Sequence, residues 1–162
     1  MVSYMEEETV CGGCCYRVND RNVQWFDAAD RPMFEINTEA RSGIFSTKRA
    51  VTVRFPCSDV AGRVIIKTSS GKQNNSITDP QGLHVVRFKR KNRMFEAAIT
   101  TFERISDSKQ LAVMQHKRGG FKVVIEFSED CECVSRVMIM AAGFLYRRID
   151  MERRRRQAAA AT

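Results

Sequence analysis

The sequence predicts a mostly antiparallel β protein that ends in a single apolar helix. From Asn22 onward, runs of alternating apolar and polar residues recur in pairs, each pair split by a short polar turn. The turns carry Pro, Gly, Asp or Ser, which preset or tolerate turn dihedrals and supply side-chain acceptors. After Glu129 the alternation stops, and VSRVMIMAAGFLYRRIDMERRRR brings good helix formers and no Pro.

The first hairpin reads NVQWF, the turn DAADRP, then MFEIN. AVTVRF, PCSDVAG and RVIIK form the second, NNSIT, DPQG and LHVVRF the third, and FEAAITTFE, RISDSK and QLAVMQ the fourth. FKVVIEF, after Gly119 and Gly120, adds a last strand, so about nine strands are expected. Val, Ile and Phe at period two indicate a sheet with one buried and one solvated face, which curls or closes. The helix should start near Ser128 or Asp130 as its cap. Between Val137 and Tyr146 it is apolar all round, as in a segment enclosed by protein or lipid. That run is far shorter than the roughly 20 residues that span a bilayer, and Arg136, Arg147 and Arg148 flank it. A buried core helix is expected. The arginines beyond it suit a helix C-terminus, where cations meet exposed carbonyls, and QAAAAT is expected to fray.

The 162 residues fit one domain able to bury a core. We divide them into an N-terminal segment with a Cys cluster (1–21), a β body with its helix (22–152) and a basic, Ala-rich tail (153–162). The net charge of +8 lies in the second half, because Met1–Val85 hold ten Lys/Arg against ten Asp/Glu and Val86–Thr162 hold seventeen against nine. One face or end should therefore be basic and favour anionic partners: lipid head groups, nucleic acid or an acidic protein. The acidic start MVSYMEEETV lacks a signal peptide's basic and apolar regions, so an intracellular, cytoplasmic location is expected. Six clustered cysteines point to free thiols rather than a disulfide framework.

Hairpins followed by one apolar C-terminal helix resemble the phospholipid scramblase branch of the tubby-like superfamily. AVTVRFPCSDVAGRVIIK resembles its strand, Pro-containing turn and Val-Ile strand. Phe95–Gln115 resembles its next long hairpin, and FKVVIEF running into CVSRVMIMAAGFLYRRIDME its last strand and helix. The similarity covers roughly Cys11 to Glu152. It implies an antiparallel tubby-like barrel wrapped around the helix, twelve-stranded in the family and incomplete here. The open edge would be completed by a partner chain, or the sheet would close as a smaller barrel.

Two further departures bear on chemistry. Where the family's proposed calcium loop begins with acids, this chain has His116, Lys117, Arg118, Gly119 and Gly120. Cations there repel calcium, so no calcium site of that kind is expected. Glu126, Glu129 and Asp130 read as a solvated strand end. Where the family carries palmitoylated cysteines between two strands, this chain has SGIFSTKR, leaving Cys11, Cys14 and Cys15 as candidate acylation sites.

Cys11 and Cys14 have zinc-like spacing, and Cys131 with Cys133 could supply a second half, but unmodified thiols are the plainer reading. His84 reads as an ordinary strand histidine and His116 as a solvated turn residue. The chain has no phosphate-binding Gly loop, GxSxG or HExxH, so neither enzyme activity, a cofactor nor a metal is expected. The functional candidates are the basic clusters: Arg87, Lys89, Arg90, Lys91 and Arg93; Lys117 and Arg118; and Arg153–Arg156. The resemblance implies that they bind anionic phospholipid such as phosphoinositide, at a membrane surface and without a transmembrane span, in a domain with a role in lipid scrambling. The alternative is a structural subunit docking into a ribonucleoprotein or cytoskeletal assembly through the basic half. Single-stranded nucleic acid is less favoured, because only Phe88 and Phe95 interleave the basic residues.

Overall fold

The computed structural model describes residues 15–19, 22–26, 29–42, 46–57, 59–69, 72–91, 98–116 and 123–161, with backbone alone at 15–19, 41, 42, 46 and 73. The chain divides into two compact units, residues 1–83 and 84–162.

The first unit is an antiparallel meander of β1 (Cys15–Asn19), β2 (Asn22–Phe26), β3 (Pro32–Ser42), β4 (Ser46–Arg54), β5 (Val60–Ser69) and β6 (Lys72–Thr78). β1 is one strand more than the alternation predicted. It lies in the segment assigned to the Cys cluster and pairs Tyr16 with Trp25 and Val18 with Val23. Inward residues meet across the ladders. Val23, Ile36 and Val53 form one row and Val51, Val64 and Ile77 another, all essentially buried. Trp25 stacks on its cross-strand neighbour Phe34, with ring centroids 5.2 Å apart. The unit ends in the turn Asp79–Leu83, where Gly82 adopts a φ of 88° that a side chain would resist. Its N–H donates to the Asp79 carbonyl, and the Leu83 N–H to the Asp79 carboxylate at 2.8 Å.

The second unit pairs β7 (His84–Lys91), β8 (Ala98–Arg104), β9 (Gln110–His116) and β10 (Val123–Phe127) in order, followed by α1 (Cys133–Ala160). In neither unit do the described residues form a ladder from the first strand to the last. Each is an open meander, and neither is a closed barrel by itself. Residues 105–109 form a short turn between β8 and β9, and ladder shifts at Trp25/Phe26, Val53/Arg54 and Phe102/Glu103 bend the strands near their ends.

α1 starts later than its composition predicts. Ser128, just past β10, is still tied to β9, its N–H donating to the Leu111 carbonyl, and the Cys131 N–H turns back to the Ser128 carbonyl. Asp130 is engaged by the β8–β9 turn: Arg104 donates to its carbonyl at 2.9 Å and Lys109 to its carboxylate at 3.2 Å. Glu132 therefore takes the N-cap position, in extended conformation and without a side-chain cap bond. Between Val137 and Tyr146 no residue is exposed, as expected of an enclosed helix, and Met138, Ile139, Ala141, Ala142, Gly143, Leu145 and Tyr146 are buried. The small residue at 143 sets the approach to the sheet, since a Cβ there would stand 3.0 Å from the Met114 methyl and 3.6 Å from Ile125 Cδ1.

The helix does not end at its arginines. It continues to Ala160, so Gln157–Ala160 of the tail expected to fray are helical and Arg153–Arg156 lie before the last turn, where they cannot cap its final carbonyls.

Gly143→Leu forces Met114 and Ile125 apart and is expected to cost about 1–3 kcal/mol, as in other overpacked cores. A lowered urea midpoint with an unchanged slope checks this.

Candidate functional site

The strand that carries the largest predicted basic cluster divides it between two faces. On β7, Val86 and Phe88 are buried and Arg90 follows them inward, whereas Arg87, Lys89 and Lys91 are exposed on the other face. Arg87 is committed to Glu103, its cross-strand neighbour, at 2.9 Å, and donates to the Ser108 hydroxyl at 3.3 Å. Lys89 and Lys91 face Thr101 and Ile99 and make no ion pair with a described residue. Arg93, Lys117 and Arg118, like Cys11 and Cys14, lie outside the described residues, as does the side chain of Cys15.

Arg90 is not available to an external anion, contrary to its place among the predicted anion-binding residues. Its guanidinium grips the Asp150 carboxylate with two hydrogen bonds, at 2.7 and 3.1 Å, and lies 4.9 Å from the centre of the Tyr146 ring. The side chains are only 12% and 23% exposed, so each charge needs the other to remain there. This bidentate pair joins residues sixty positions apart and fixes α1 against the end of β7.

Beneath the pair, Tyr146 packs edge-on against Phe88 and against His116, with centroids 6.0 and 5.6 Å away. His116 is the buried last residue of β9, not the solvated turn residue that its basic neighbours implied. Its Nε2 lies 3.5 Å from the hydroxyl of buried Thr100. Burial, reinforced by the positive charge of Arg90 and opposed by Asp150, holds its pKa down to about 4, so the ring is neutral. Burial likewise raises the Tyr146 phenol. Phe88, itself stacked on Phe102, borders Tyr146, and these groups serve the packing of helix on sheet.

The strand–helix pair also sets where the charges gather. Arg153–Arg156 begin three residues beyond Asp150, and every residue from Arg153 to Ala160 is exposed. Lys89 and Lys91 flank Arg90 in the strand. Two basic runs far apart in sequence are thereby brought to one end of the second unit. Their acidic neighbours are engaged, Asp150 by Arg90 and Glu152 by Arg148 at 3.7 Å.

Other predicted sites stay apart. His84 is exposed at the start of β7. Cys131 is buried, which raises its thiol pKa, and the Arg136 Nε donates to its carbonyl at 2.8 Å; Cys133 is exposed. Among the described residues no group of three His, Cys, Asp or Glu could hold a metal ion. In the first unit, a surface depression of about 210 Å³ is lined by Pro32, Phe34, Phe55 and Pro56 with Glu35 and Arg54, and it gathers no nucleophile with a base. No helix among the described residues is long and apolar enough to cross a membrane.

The alternation could have revealed the inward arginine, since Arg90 keeps the phase of Val86 and Phe88. Asp150 likewise continues the inward helical stripe of Ile139, Gly143 and Tyr146. Comparison with protein-family descriptions, curated proteins and solved structures finds no match to this chain.

Two outcomes follow. Asp150→Ala strands the Arg90 charge and is expected to cost about 2–4 kcal/mol, measured by chemical denaturation. Folding favours neutral His116, because its pKa is about 4 in the fold against 6.5 unfolded. Its contribution is complete above the unfolded value and is lost as pH falls toward about 4, by at most about 3 kcal/mol. His116→Gln should flatten that part of the stability profile if the variant folds normally near neutral pH.

Proposed function

We propose that the protein is a non-enzymatic module that docks peripherally on an anionic phospholipid surface, at the cytoplasmic side of a membrane, through the basic end of its second unit. The observation that carries this reading is the Arg90–Asp150 pair, which holds the end of β7, with exposed Lys89 and Lys91 on its outer face, beside the helix turn that leads into exposed Arg153–Arg156. Each cation near such a surface contributes about 1 kcal/mol, so the group is sufficient for reversible attachment. Arg87, neutralised by Glu103, and Arg90, held by Asp150, are outside the docking set. The hairpin order and C-terminal helix that resemble the scramblases support the same class of ligand. A role in moving lipid between leaflets would have to come from this docked state.

Flotation with vesicles containing phosphatidylserine and phosphoinositide, at physiological salt, tests the reading. The protein should float with these and stay behind with neutral phosphatidylcholine vesicles. Lys89→Glu with Lys91→Glu should reduce partitioning at least roughly tenfold. No flotation with anionic vesicles, or retention on duplex RNA in its place, overturns it.

A further inference from the structure

Resting on that reading, we propose that α1 meets the membrane end-on, with Arg153–Arg156 forming a ring of guanidinium groups in the head-group layer. Consecutive helical residues are about 100° apart, so four in a row encircle the axis. They also rise only about 1.5 Å per residue, which confines their Cα atoms to a slab about 4.5 Å thick. All four side chains are exposed, as is the helix beyond them to Ala160.

A helix lying flat in an interface has a different character. It turns cations to one face and large apolar residues to the other. From Glu152 to Ala160 the sequence ERRRRQAAA offers no large apolar residue. Lying flat, the segment would direct about half of its arginines at the lipid and the others away. Standing steeply, it places all four at one depth, and long arginine side chains reach sideways to phosphates around the axis.

The helix is not free to choose its tilt independently of β7. Asp150 is clamped by Arg90, Tyr146 is buried one turn earlier, and Arg147 and Arg148 are half-buried. The anchored part delivers the ring with a fixed axis. Lys91, the exposed last residue of β7, is adjacent to Arg90 in the strand.

Two double variants of the full chain separate the orientations. In the ring, Arg153 and Arg156 are about 60° apart on one side, and Arg154 and Arg155 occupy the other. Arg153→Gln with Arg156→Gln, and Arg154→Gln with Arg155→Gln, keep good helix formers at each position. Vesicle partitioning is measured at physiological salt with anionic vesicles, and helicity by circular dichroism. End-on docking predicts that both pairs weaken binding by similar factors, roughly tenfold to thirtyfold. The corresponding Arg→Lys pairs, which keep the charge, should remain within a few-fold of the parent. A helix lying flat would make one glutamine pair costly and the other nearly silent, which overturns the orientation. Two silent pairs with a floating parent overturn it as well. A parent that does not float overturns the lipid reading itself, so the two failures are distinguishable.

Discussion

A guanidinium and a carboxylate sixty residues apart, both mostly withdrawn from water, hold the second unit in register. An isolated charge in such a place would be strongly destabilising, and each of the two is tolerable because the other lies within 2.7 Å. Arg90 completes the inward face of β7, and Asp150 completes the inward stripe of α1. The bidentate geometry permits little sliding between strand and helix. Tyr146 sits under the pair, with the neutral imidazole of His116 on its edge, so the polar groups of this corner are arranged in one interdependent layer.

That layer divides the positive charge of the second half into structural and external parts. Arg90 belongs to the interior, and Arg87 is matched by Glu103 across the β7–β8 ladder. Arg104 and Lys109 secure the turn before the helix through Asp107 and Asp130. Lys89, Lys91 and Arg153–Arg156 face outward at one end. A net charge summed over the sequence treats all of these cations alike, whereas a field that an anionic surface would meet depends on which of them face outward.

The architecture follows from local pairing. Within each unit every ladder joins strands adjacent in the chain, and period-two alternation assigns each side chain to a face without distant information. Gly143 is the counterpart on the helix: the missing side chain makes room for Met114 and Ile125. Small residues along the buried stretch thus let the helix backbone approach the strands, while Leu145 and Tyr146 fill the space around them.

The sequence by itself determined the alternating strands, the turns DPQG and RISDSK, the enclosed stretch from Val137 to Tyr146 and the excess of positive charge in the second half. Each of these is written in residue type and short-range period. It did not reveal β1, whose short run CYRVN is followed at once by polar DRN and lacks a long alternating stretch. The helix start was decided by tertiary structure, because the β8–β9 turn engages Asp130 and the hydrogen bond to the Leu111 carbonyl ties Ser128 to β9. The inward phase of Arg90 was legible in the alternation, but its carboxylate partner and the burial of His116 were decided by tertiary structure. A basic residue in a basic run reads as solvated until a partner from a distant element offers a carboxylate or an aromatic face, and the cost of burying its charge or polarity then depends on that contact.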